Sequence, residues 1–124
     1  MMNPKRANRR KKFKEWKDKV YLKFMRYLML RHTLSWVKYE ASKGKDYVEI
    51  PLKGLKNNLV KKIPFELINK YFENYVKHWL VPKLINRGFK ARVWVSLENN
   101  RRICLYVSWV ADREIQKEII DNEI

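Results

Sequence analysis

A helical pattern that begins between Asn8 and Phe13 and runs to about Ala41 constrains this chain more than anything else in it. Phe13, Trp16, Val20, Phe24, Tyr27 and Leu34 recur near helical spacing, and Gly44 stands where such a helix would stop. From Val20 to Val37 twelve of eighteen residues are apolar, which covers more than one face. A helix that apolar has to be covered on several sides. The sequence therefore predicts either a central helix wrapped by the rest of the domain or self-association or a protein partner through residues 20–37.

The same pattern is entered through a dense cationic stretch. Lys5, Arg6, Arg9, Arg10, Lys11, Lys12 and Lys14 carry seven positive charges with no acid among residues 5–14. We divide the chain on this basis into a basic N-terminal arm (1–14) and one α+β domain (15–124). The arm holds +7 of a formal net charge of +16, residues 112–124 hold −3, and the middle holds +12. A charge balance of that kind selects polyanionic partners.

Composition narrows the class further. With 46% apolar residues in 124, the chain can bury a core, and three glycines and four prolines argue against a turn-rich sandwich. The single cysteine, Cys104, excludes an internal disulfide framework and suits a reducing compartment, cytoplasmic or inside a nucleoprotein particle. The basic start is followed by Phe13, Glu15, Trp16 and Asp18, unlike a secretory signal, and no run of about 18 apolar residues exists to span a membrane.

After the first helix, Tyr47 to Leu52 reads as a strand, placed at a sheet edge because Pro51 cannot donate to a ladder. Residues 53–62, with Gly54, Asn57 and Asn58, read as a loop bearing four lysines. Pro64 opens a second helix with an apolar stripe of Phe65, Ile68, Phe72, Val76 and Trp79. Pro82 kinks or restarts it, and Gly88 follows Arg87 as a C-cap.

Two strands come next. Phe89, Ala91, Val93, Val95 and Leu97 alternate with polar neighbours, as do Ile103, Leu105, Val107 and Trp109. A two-residue loop would put the two apolar sets on opposite faces, because a one-residue slip flips every side chain. A three-residue loop, Asn99-Asn100-Arg101, opposes Leu97 to Ile103, Val95 to Leu105 and Val93 to Val107, and sets Cys104 opposite Ser96. It gathers Lys90, Arg92, Trp94, Arg102 and Tyr106 on the other face, with Trp94 opposed to Tyr106. Such a face is a platform for stacking unpaired bases among cations, although cross-strand aromatic pairs also stabilise sheets with no ligand at all. A short helix from Asp112, with Ile115, Ile119 and Ile120, completes an α-β-α-β-β-α order, with a small, mainly antiparallel three-stranded sheet packed on two long helices, the first a long basic N-terminal helix that carries the arm's cations.

Signals for catalysis are missing. His32 and His78 lack a ligand partner at i+3 or i+4, and no Gly-rich phosphate loop or nucleophile elbow occurs. The expectation is a non-enzyme without metal or cofactor. Its leading reading is nucleic-acid binding of low sequence specificity, DNA or RNA. Phosphate contacts would come from Lys5, Arg6, Arg9, Arg10, Lys11, Lys12 and Lys14 and from the four lysines of residues 53–62, while Lys90, Arg92, Trp94, Arg101, Arg102 and Tyr106 on the hairpin would form a second nucleic-acid-binding place. Ten such contacts would give a salt slope of roughly −9 on duplex DNA. The other reading is a structural subunit of a nucleoprotein assembly or virion that oligomerises through helix 20–37. Peripheral membrane binding, through basic residues beside Trp16, Phe24, Met25 and Trp36, is a third.

Overall fold

The computed structural model describes residues 4–98, 100–109 and 118–119. The fold is α+β, with helices packed on one face of a small antiparallel sheet. Helix α1 (Pro4–Ser42) starts earlier than expected and takes in nearly all of the basic arm as its first turns. At its end, Gly44 donates to Ala41 and Lys45 to Glu40, with Gly44 at φ 83°. These two bonds satisfy the last carbonyls in a Schellman arrangement, which needs a left-handed residue at that point.

Strand β1 (Tyr47–Pro51) leads straight into helix α2 (Leu52–Asn57), where a loop was expected. Leu55, Leu59 and Ile63 are buried, so apolar spacing prevails over the turn-forming Gly54, Asn57 and Asn58. Helix α3 (Phe65–Tyr75), a π-helical turn (Val76–Leu80) and helix α4 (Val81–Asn86) then form one continuous helical segment. Val81 donates to the carbonyl of Val76, five residues back, just before Pro82, which has no N–H to give.

The wide turn also resets the buried stripe. Ile68, Phe72, Val76, Leu80 and Leu84 are all buried and recur every four residues, whereas Phe65 is 62% exposed and Trp79 only half-buried. A four-residue period drifts by about 40° per step around an α-helix. A turn holding extra residues takes up that drift, so Leu80 and not Trp79 continues the stripe. Gly88 (φ 96°) closes α4 as expected, donating to Ile85 while Phe89 donates to Leu84.

The sheet runs in the order β1-β3-β2-β4, with β2 (Lys90–Ser96), β3 (Arg102–Ser108) and a two-residue β4 (Glu118–Ile119). Strand β1 lies at an edge, as Pro51 requires. Residues 118 and 119 pair with β2 as strand and are not helical; the remainder of the helix expected from Asp112 falls outside the described residues.

The hairpin register differs from the expected one by two residues. Val95 pairs with Ile103, Val93 with Leu105 and Ala91 with Val107, leaving a five-residue connection, 97–101. Asn100 takes the left-handed conformation as anticipated, but Arg101 joins it at φ 58°. Two consecutive left-handed residues widen the turn and release Leu97 from the ladder, so Ser96 and not Glu98 faces Arg102, and Cys104 faces Trp94 instead of Ser96. Because the slip is an even number, each side chain keeps its expected face.

The main core lies between the helices and one sheet face. Val48, Ile50, Ala91, Val93, Leu105 and Val107 meet Met25, Leu28, Met29 and Val37 of α1 and the buried stripe of α3 to α4. On the opposite face Trp94, Cys104 and Tyr106 form a second, smaller buried cluster with Tyr47 against it.

Candidate nucleic-acid interface

Lys5 and residues 7–20 of α1 are exposed throughout, save half-buried Asp18. Residues 5–20 form a helical rod about 24 Å long beyond the core. Lys5, Arg9, Arg10, Lys11, Lys12 and Lys14 all stand on it with their side chains in solvent, and Arg6 belongs to the same turns. The sequence reading stopped at Lys14; Lys17, Lys19 and Lys23 extend the exposed series. Farther along, Arg26 is different. Its Nη1 donates to the Tyr75 hydroxyl at 3.2 Å and its guanidinium sits 5.2 Å from that ring, so it ties α1 to α3 and is not part of the open series.

The hairpin cations divide into two groups. Arg101 and Arg102 are exposed at the turn, while Lys90 and Arg92 are half-buried on the sheet. Of the two readings of the Trp94–Tyr106 face, packing is the one the structure shows. Trp94 is 2% exposed and Tyr106 1%, with ring centroids 4.1 Å apart. They are diagonal neighbours across the shifted register, not directly opposed. The Trp94 indole Nε1 donates to Glu49 Oε2 at 3.1 Å, and Tyr47 lies 6.0 Å from Tyr106. Rings packed and bonded in this way hold three strands together, which is the cross-strand role and not a ligand-stacking one.

The arm and the hairpin turn sit at opposite ends of α1. Glu40, Lys45, Tyr47 and Glu98 line one hollow, which places the turn beside the helix C-terminus. Lys14 lies 26 residues before Glu40, or about 39 Å along the axis. The arm cations and those of the hairpin turn therefore lie far apart on the molecule.

At the hairpin end the fold assembles something not foreseen. Lys53 and Lys56 of α2 and Arg102 of β3 rim a cleft of about 680 Å³, with Pro51, Leu52, Phe72 and Ile103 in its walls and Glu73 also present. The spacing of Leu52, Leu55 and Leu59 at i, i+3 and i+7 was the available signal for α2. Reading 53–62 as a loop hid the convergence.

Partial burial, then Lys62 and Arg31, hold the His32 imidazole below its ordinary pKa and favour its neutral form. Burial, then Glu98 and Glu49, push the Tyr47 hydroxyl up. Cys104 is buried under the outer aromatic cluster. Among the described residues no group of three or more His, Cys, Asp or Glu side chains could hold a metal ion, and no helix is long and apolar enough to cross a membrane. The arrangement can capture phosphate groups by charge. No known protein family, curated protein or solved structure is detectably similar to this chain.

Proposed function

We propose that this protein is a non-enzymatic nucleic-acid-binding protein that grips phosphates through the projecting half of α1. The observation that carries this reading is the exposure of Lys5, Arg9, Arg10, Lys11, Lys12 and Lys14 on a helix standing clear of its own core. A helix fixes those cations relative to one another, so binding orders less chain than a flexible arm would. Contacts of this kind go to the backbone and carry no base information, which gives affinity with little sequence preference. The cleft ringed by Lys53, Lys56 and Arg102 supplies a second, weaker place for a phosphate strand.

Changing Arg9, Arg10, Lys11 and Lys12 together to glutamine tests the reading by fluorescence anisotropy on several unrelated DNA and RNA oligonucleotides. Affinity should fall on all of them alike, with the salt slope on duplex DNA shallower by roughly 3 to 4. Unchanged binding, or loss on one sequence only, contradicts it. A second reading, a structural subunit of a nucleoprotein assembly, is favoured by the outward row of large apolar side chains on the same helix, Phe13, Trp16, Val20, Phe24 and Tyr27.

A further inference from the structure

Helix α1 uses one face for its own core and carries a second apolar face that its own domain leaves open. At about 100° per residue, Phe13, Trp16, Val20, Phe24 and Tyr27 fall within about 80° of the helix circumference, directly opposite buried Met29. All five remain between 39% and 62% exposed. Residues 20–37, the surface first expected to mediate association, mostly serve the internal core, since Met25, Leu28, Met29, Thr33 and Val37 are buried in it. The open face is displaced toward the N-terminus.

The spacing of that face is symmetric. Phe13 and Tyr27 each lie seven residues from Val20, and Trp16 and Phe24 each lie four. We infer that the outer face of α1 docks the same face of a second copy, antiparallel, with a two-fold axis at Val20. Phe13 of one copy then meets Tyr27 of the other, Trp16 meets Phe24, and Val20 meets Val20. A two-fold contact needs a patch that is complementary to itself, and a row with mirror-symmetric spacing meets that condition without adjustment. The seven-residue steps from Phe13 through Val20 to Tyr27 are also the heptad steps of packed helices.

Charge decides the direction. A parallel pair would lay two +7 arms side by side, whereas the antiparallel pair sends them to opposite ends of the contact. Some repulsion remains, because Lys17 and Lys23 face each other across the seam. The buried area, about half of each aromatic side chain in the row on both copies, is on the order of 1,000 Å², the lower limit for a specific interface. Association is thus reversible and tightens as salt screens the lysines, opposite in sign to phosphate binding. The inference deepens the assembly reading and is independent of whether nucleic acid binds.

Sedimentation equilibrium of the full chain, freed of nucleic acid, tests it across a salt series. The expected result is a monomer–dimer equilibrium that shifts toward dimer at high salt and is lost in Val20→Lys, which adds two more cations at an axis already crowded by Lys17 and Lys23. Oxidation of variants with one introduced cysteine fixes the geometry, since the native Cys104 is buried. Val20→Cys should form a disulfide-linked dimer, whereas Phe13→Cys should not, because its two copies lie about 21 Å apart along the axis. A monomer at every salt concentration, cross-linking of Phe13→Cys, or recruitment of a strictly monomeric chain to anionic vesicles through this face would overturn it.

Discussion

The two halves of α1 share one helix and differ in what surrounds them. From Tyr21 to Ser42 one face is held by Tyr75 through Arg26, by the sheet and by the helices, with Met25 and Met29 wholly buried. From Ala7 to Val20 every residue except half-buried Asp18 is exposed, and the cations and aromatic rings of this stretch alike face solvent. Tertiary packing normally supplies most of a helix's stability. A half that lacks it, and is also crowded with like charge, gains most from a partner that is both anionic and able to cover apolar surface. The covered half makes the fold; the bare half is where binding is to be sought.

That contrast can be broken by mutation. The largest expected difference is in stability. Met29→Ala should cost about 2 to 5 kcal/mol because it opens a cavity in a closed core. Trp16→Ala, on the bare half, should stay within about 0.5 kcal/mol in chemical denaturation of the monomer. Equal losses would mean that the projecting half is packed after all. Next in size is the outer sheet cluster. Glu49→Leu removes the acceptor for Trp94 Nε1 and should destabilise by about 1 kcal/mol. Nucleic-acid affinity should not change, and a loss there would return Trp94 to the binding surface.

The smallest effect concerns pH. His32 has a lowered pKa in the fold, so protonation favours the unfolded chain. Its contribution is intact above the ordinary histidine value of about 6.5 and is lost as pH falls through the lower folded value. Melting temperature should therefore decline slightly from pH 7.5 to 5.5, and His32→Gln should flatten part of that decline. A steeper decline in the variant would reverse the assignment.

How far the sequence could be read depended on which physical term decided each element. The end of α1, the edge position of β1 and the hairpin faces were legible, because periodicity, the missing proline N–H and alternation act locally. The register was not. Alternation is blind to a slip of two, and only the double left-handed turn at Asn100 and Arg101 selects between the candidates. The π-turn was concealed in a four-residue period that looked like an α-helical stripe with Trp79 in place of Leu80. In the candidate site the cations of the arm were plain from charge alone, and the helical phase of Phe13, Trp16 and Val20 already placed them on a helix; only its start, at Pro4 and not between Asn8 and Phe13, was missed. For Trp94 and Tyr106 the sequence left two readings, ligand stacking and cross-strand packing, because alternation assigns a side chain to a face without saying whether that face is covered; packing is the one found.

The most direct test of the account is the salt dependence of nucleic-acid binding by the intact chain. Seven phosphate contacts from Lys5 to Lys14 give log K against log salt a slope of roughly −6 on duplex DNA. Removing residues 1–14 should leave a much shallower line at lower affinity. A wild-type slope shallower than about −2, or one that the truncation leaves unchanged, would contradict the claim that the projecting half of α1 is the phosphate-binding element.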